Sequence, residues 1–196
     1  MKKIDFTDYF TDNRNSWPQE SKPGIETGIK DNAYHIYHNR SDSSYAMYLG
    51  FHYIIREKAF SLQLRMKTSG DPDIAAAQSG ILFGLIIDDQ KRWTYDLFSI
   101  SSSGFFVGTH IGEDDRWEPE VNWLEHPAIN VGAGQSNLLR IEKFDREIDQ
   151  SCYYFINNEL VHQSKSLPLR GFLQGIWVSG QIDVSFDLFN VSYLSI

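Results

Sequence analysis

Residues 79–111 read SGILFGLIIDDQKRWTYDLFSISSSGFFVGTHI, and the fold is decided here. Three runs suited to strands, Gly80 to Ile87, Arg92 to Ser101 and Phe105 to Ile111, are separated by clusters that reverse the chain. Asp88-Asp89-Gln90-Lys91 makes the first reversal. Ser101-Ser102-Ser103-Gly104 makes the second, where Gly104 is free to take the positive φ of a tight hairpin. The first run is apolar on both alternating faces, with Ile81, Phe83 and Leu85 on one and Leu82 and Ile86 on the other, which predicts a strand deep in the molecule. Strands joined in this way form an antiparallel meander, and the body of the protein is all-β.

The flanking sequence extends the same pattern. Upstream, Ile4 and Phe6 begin an edge strand, residues 11–16 supply a loop, and Trp17-Pro18 returns an apolar plug for the end of the core. A strand from Glu26, a reversal at Asp31-Asn32 and a second strand through Tyr34 and Ile36 follow, then strands at Tyr45 to Ile55 and Phe60 to Lys67. The last alternates cleanly, with Phe60, Leu62, Leu64 and Met66 on one side and Ser61, Gln63, Arg65 and Lys67 on the other. Asp73 to Ala77 is the one candidate for a helical turn. Downstream, Gly112 to Gly134 reads as a long irregular loop carrying Trp117 and Trp123, and loops of that size tend to be functional. Strands resume at Asn137 to Phe144, Cys152 to Ile156 and Leu160 to Gln163, the last two joined by an Asn157-Asn158 turn. Gly175 to Ser179 and Asp183 to Tyr193 are the closing strands, with a bulge expected near Asp187-Leu188 because Phe189 and Val191 fall out of step with Val184 and Phe186.

About a dozen short strands without a helix imply two antiparallel sheets packed face to face in a single domain over residues 1–196. A chain of 196 residues hides roughly 70% of its unfolded surface, enough for a core without staples, and the lone Cys152 excludes an internal disulfide. The formal charge of −8, with basic residues scattered, argues against nucleic acid and anionic membranes as partners. Residues 1–15 lack the apolar run of a secretory signal and no stretch approaches a membrane span, so the expected location is the cytoplasm.

Phe10-Thr11-Asp12-Asn13 with Trp17, Ser103-Gly104-Phe105, Gly132 and Gly134 before Asn137-Leu138-Leu139-Arg140, Phe155-Ile156-Asn157, and Phe186-Asp187 with Phe189 form a set of turns and core aromatics. On these residues the chain resembles the concanavalin A-like jelly-roll superfamily, in particular laminin-G-like bacterial domains related to the keto-disaccharide hydrolase family. Ser16, Asn158 and Leu188 depart from the usual pattern without removing a core residue. The resemblance implies a two-sheet jelly-roll sandwich of the lectin and glucanase type. Its motifs are turns and core aromatics, so they specify fold and leave activity open.

Glucan-cleaving members of the superfamily carry acids on alternate positions of one strand. The nearest match, Glu147 and Asp149, lacks a closing acid and reads as a turn. His35 and His38 lie three apart on a strand, which turns them to opposite faces and away from a shared metal. Glu113-Asp114-Asp115 is a candidate calcium loop by analogy with related lectin-like domains, without the interleaved spacing such loops use; no other cofactor is implied. No nucleophile elbow or phosphate-binding turn is present.

What remains is the aromatic complement. Sugar rings present flat C–H faces that stack on indole and phenol, with planar polar groups nearby to meet the hydroxyls. Trp93, Tyr95, His110, Arg116 and Trp117 fit that description and are the expected ligand-binding residues. The leading expectation is a non-catalytic sandwich binding carbohydrate or another small ligand. A glycoside hydrolase with acids from the long loop, and a laminin-G-like protein-interaction module, are the alternatives.

Overall fold

The computed structural model describes residues 6–50, 54–55, 58–69, 77–144, 151–164 and 169–194. Within them the chain forms thirteen strands and no helix: β1 (Phe6–Asp8), β2 (Glu20–Lys22), β3 (Ile25–Lys30), β4 (Ala33–Tyr48), β5 (Phe60–Thr68), β6 (Gln78–Ile87), β7 (Trp93–Ser101), β8 (Gly104–Ile111), β9 (Arg116–Leu124), β10 (Ser136–Lys143), β11 (Cys152–Ile156), β12 (Glu159–Ser164) and β13 (Leu173–Tyr193). Residues 73–76 of the candidate helical turn and the Glu147/Asp149 pair lie outside the described residues.

Two strands run through both sheets. The first half of β13 pairs with the second half of β4 on one side and with β6 on the other, while its second half pairs with the first half of β4, with β5 and with β1. One sheet is therefore β12-β11-β10-β5-β13, continued by β1 and by β4-β3-β2. The other is β4-β13-β6-β7-β8-β9. The bend between them falls at Gly180, which takes φ +71°. Gln181 pairs with Asn39 and Ser179 with Ser44, so residues 40–43 lie opposite Gly180 alone. Buried His38 closes this corner, its Nδ1 donating to the Gly180 carbonyl at 2.6 Å. His35 lies on the other face of β4 as expected from the spacing, its Nε2 3.1 Å from the Lys30 carbonyl.

The core follows the alternation. Phe60, Leu62, Leu64 and Met66 of β5 face Ile81 and Phe83 of β6 and Phe98 and Ile100 of β7 across the sandwich, all essentially buried. At one end, Phe10, Trp17, Tyr34 and Phe189 form a ring cluster with centroids 5.3–5.9 Å apart. Buried Asp8 fixes that plug by accepting from the Phe10 amide, the Trp17 indole and the Asn15 amide, each at 2.7 Å.

Three features depart from the sequence reading. The two strands read on either side of residues 39–45 are one strand, β4, and the two closing strands are one strand, β13. Both were divided in the reading at polar residues and a glycine that mark the sheet-to-sheet bend. Residues 116–124, read as part of a long loop, form edge strand β9, whose alternation is hidden by bulges described below. The Asp187-Leu188 bulge is present, as the register slips between Phe186 and Leu188.

The crossing of β13 under β4 is tight. A β-carbon built on Gly175 would lie 1.8 Å from the Met47 carbonyl oxygen and 2.7 Å from the Tyr48 α-carbon, both backbone atoms that cannot turn aside. Gly175→Ala is expected to lower the free energy of unfolding by about 2–4 kcal/mol, measured as a lower urea midpoint at unchanged slope.

Candidate functional site

In the second sheet, the strand faces turned away from the core are not polar. Leu82, Leu85, Tyr95, Leu97, Phe106 and Trp177 form a second buried apolar cluster there, with Trp93, Trp123 and Tyr48 packed against it. This explains why residues 80–87 are apolar on both faces: one face fills the sandwich and the other supports an outer floor. The surrounding aromatic side chains cover this outward layer, leaving its members 0–7% exposed.

The floor is shaped by its aromatic residues. Gly108 lies between Phe106 and His110 on β8, and a β-carbon there would approach Phe106 Cζ to 2.7 Å, so the missing side chain lets the Phe106 ring lie along the strand. Trp117 stands edge-on to Phe106, with centroids 5.4 Å apart, and Trp123 lies over the same ring at 5.6 Å. Both tryptophans come from β9, and two irregularities aim them. Register runs His110↔Trp117 and Gly108↔Pro119, then slips to Val107↔Val121 and again to Phe105↔Leu124. Val121 shares sequence parity with both tryptophans, yet the first slip turns it against the core and the second returns Trp123 to the outside. Trp123 takes φ +49°, a conformation that costs a bulky residue on the order of 1–3 kcal/mol.

The result is a groove of about 650 Å³ across the sheet. Leu97, Phe106 and Trp177 make its floor, and Trp117, Pro119 and Trp123 make one wall. Gln78, Asn122, Ser43, Ser44 and Ser179 supply hydroxyl and amide groups, and Asp115 lies at one end. Trp117 is 39% exposed, whereas Trp177 is 4% exposed. A smaller cavity of about 70 Å³ lies between the sheets at the end lined by Met66, Ile100 and Ile129, with room for little more than a water or two.

Of the five residues expected from sequence, Trp117 lines the groove. Tyr95 and His110 stand behind it: their rings stack at 5.0 Å and 24°, and they meet Trp117 at 5.8 and 5.0 Å. His110 is anchored by its Nδ1, which donates to the Trp93 carbonyl at 2.9 Å, and its Nε2 lies 2.9 Å from Asp115 Oδ1. Burial holds the Tyr95 phenol well above its ordinary range. Trp93 packs edge-on against Tyr48 at 5.3 Å. Arg116 pairs with Asp114 at 3.2 Å and Glu118 at 2.9 Å and does not line the groove. Trp177, Phe106 and Gln78 were missed; the signal for Trp177 was its alternation with Ile176 and Val178, which places it opposite the core.

The opposite face of β9 meets the first sheet. Glu120 Oε1 lies 3.1 Å from His162 Nε2, His126 Nε2 lies 4.0 Å from Glu159, and Arg170 lies 3.9 Å from Glu118, so charges stitch the two sheet edges together. Cys152 is buried here and its thiol is pushed up to about 12 by that burial, which makes it inert as a nucleophile. Of the acids proposed for calcium, Asp114 is paired with Arg116 and Asp115 with His110. Among the described residues, no three His, Cys, Asp or Glu side chains converge.

The whole arrangement can be compared with known proteins. No protein-family model matches the sequence, and no curated protein matches it. Solved structures do match. The metal-free carbohydrate recognition domain of Emp46p superposes with a TM-score of 0.61 at 9% identity, over 86% of each chain. This chain has a jelly-roll fold. A structure from work on endo-acting O-glycanases that prominent members of the human gut microbiota express to initiate mucin breakdown superposes on the same jelly roll at 0.63. It shares 8% identity and covers 97% of this chain and 99% of that one. A prokaryotic β-1,3-1,4-glucanase (lichenase) derived from a mouse hindgut metagenome superposes at 0.57 with 10% identity, over 97% and 99%. These likenesses show the jelly-roll sandwich that the sequence resemblance implied.

Beneath the groove, Asp96 of the jelly roll points inward, is 6% exposed and accepts from Thr109 Oγ1 at 2.6 Å. Burial raises its carboxyl from 3.8 to about 6, with Arg170 opposing and Glu120 adding to the shift. A carboxyl raised in the folded state favours folding while both states are protonated, and that advantage is lost as pH rises from about 4 through 6. The difference corresponds to about 3 kcal/mol at most. Asp96→Asn is expected to be more stable than the parent by about 1–3 kcal/mol at pH 7.5. The gap should shrink toward zero below pH 4, as read from urea unfolding across that range.

Proposed function

We propose that the chain is a non-catalytic carbohydrate-binding domain whose ligand lies in the groove on the outer face of the β4-β13-β6-β7-β8-β9 sheet. The observation that carries this reading is the pairing, in one groove of about 650 Å³, of exposed indole faces with uncharged hydrogen-bonding side chains. Trp117 and Trp123 present flat apolar surface, while Gln78, Asn122 and the three serines present donors and acceptors at the spacing of adjacent strands. A carbohydrate recognition domain and a lichenase are among the solved structures that share this fold, which supports a glycan ligand without assigning one.

The binding reading is preferred to hydrolysis on one count. A glycosidase working by two carboxylates holds them about 5–9 Å apart across the scissile bond. Among the described residues lining the groove, Asp115 is the single carboxylate. Glu118 and Glu120 belong to the other side of β9, engaged with Arg116, Arg170 and His162. The laminin-G-like alternative would need a broad apolar patch without a groove, whereas the apolar layer here lies under one.

The test is a glycan array followed by calorimetry on the hits. Trp117→Ala and Trp123→Ala are each expected to weaken binding by about 10–30-fold, the loss usual for a central aromatic contact. Failure to bind any glycan, or binding that both substitutions leave untouched, overturns the proposal.

A further inference from the structure

Among the described residues, the charges around the groove are negative or engaged elsewhere. The lining contains no lysine or arginine among the described residues, and Asp115 is its only formally charged member. Arg116, the nearest cation in sequence, is spent on Asp114 and Glu118. Arg92, at the start of the same meander turn, is paired with Asp88 at 2.7 Å. His38 reaches the groove from within, its Nε2 3.5 Å from Ser43 Oγ, and His110 stands beside the groove. The two ring nitrogens of His110 are taken by the Trp93 carbonyl and by Asp115, and its side chain is only 14% exposed. The remaining polar groups, Gln78, Asn122 and the serines, are neutral.

A carboxylate or sulfate on a ligand entering such a groove loses hydration and gains no cation in return. It also meets Asp115, whose carboxylate is 93% exposed and held at the groove end by His110. Asp115 has φ +51°, a left-handed backbone position in a turn, and aspartate or asparagine is the non-glycine residue that accepts it with least strain. Position 115 is thus a place where charge can be removed without reshaping the turn.

Building on the carbohydrate-binding reading, we propose that the groove selects uncharged glycan chains and rejects uronate-bearing or sulfated ones, with Asp115 as the specificity-determining residue. The groove also draws on six neighbouring strands, an extent of on the order of 24 Å at the usual strand spacing, which suits an oligosaccharide better than a single sugar.

The experiment uses the full chain at pH 7.5 in native gels cast with polysaccharides. A panel of neutral β-glucans, mannans, xylans and galactans is screened alongside alginate, polygalacturonate and heparin. The neutral polymer giving the strongest retardation is then carboxymethylated, and hydroxyethylated in parallel as a control for bulk without charge. The expected result is retardation by a neutral polymer, retained in the hydroxyethyl form. It should weaken by about tenfold or more in the carboxymethyl form and vary little between 50 and 500 mM NaCl, about the range over which salt screens exposed charges. Asp115→Asn should narrow the neutral-to-carboxymethyl ratio several-fold, with an unchanged thermal midpoint confirming the fold.

Retardation by the acidic polymers at least as strong as by the neutral ones, and lost in Trp117→Ala, overturns the selectivity while leaving the carbohydrate reading in place. A ratio unmoved in Asp115→Asn removes Asp115 from the specificity role. No retardation by any polymer overturns the carbohydrate reading itself, and this inference with it.

Discussion

The pairing of β4 with β13 through both sheets is the constraint on which the rest of the molecule depends. A strand of 21 residues cannot stay in one flat sheet of a sandwich, because the sheets diverge and its hydrogen-bonding groups must follow one or the other. Here the strand bends at Gly180, and its partner stays a strand through residues 40–43, the extra residues opposite the bend. His38 spans the corner from within. The bend gives the two halves of one strand different neighbours, β6 for the first and β5 for the second. It thereby fixes where each sheet lies relative to the other and where the core must be filled.

The groove is a consequence of that geometry together with an unusual distribution of apolar residues. A sandwich needs one apolar face per sheet, and the β6-β7-β8 meander has two. The outer one is finished with large rings, and the slips in β9 that turn Val121 inward while leaving Trp117 and Trp123 outward convert an exposed layer into a walled trough. Local strain at Trp123 is tolerated because the Phe106 ring beneath it and the pairing at Phe105↔Leu124 hold the chain on both sides. Site and fold are therefore built by the same strands, with Asp115 and His110 closing the end.

Much of this was legible in the residues. The meander, the Asn157-Asn158 turn, the clean alternation of β5 and the Asp187-Leu188 bulge all follow from period-two patterning and turn chemistry, which act locally. The continuity of β4 and β13 was not, since polar residues and a glycine at a bend look the same as those at a loop when the second sheet is unseen. β9 was hidden for a related reason: Pro119 and two register slips break the alternation by which an edge strand is recognised. Trp117, expected at a site from its type and neighbours, does line the groove. Trp177 and Phe106 were not, because a ring on the far face of a core strand differs from a core ring only once the sheet has an outside. Arg116 looked suitable by composition, and only the positions of Asp114 and Glu118 show where its charge is directed.

The groove wall is also a sheet margin. On β9, Pro119 offers no amide hydrogen, and Arg116, Glu118 and Glu120 put one positive and two negative charges on the side turned away from the groove. A foreign segment trying to zip onto this margin meets a gap in the donor row and a fence of ions, two devices that deter open sheets from recruiting further strands. The same strand that turns Trp117 and Trp123 to one side is thus guarded against amyloid-like stacking along its length, so apolar contact is left to its side chains and withheld from its backbone.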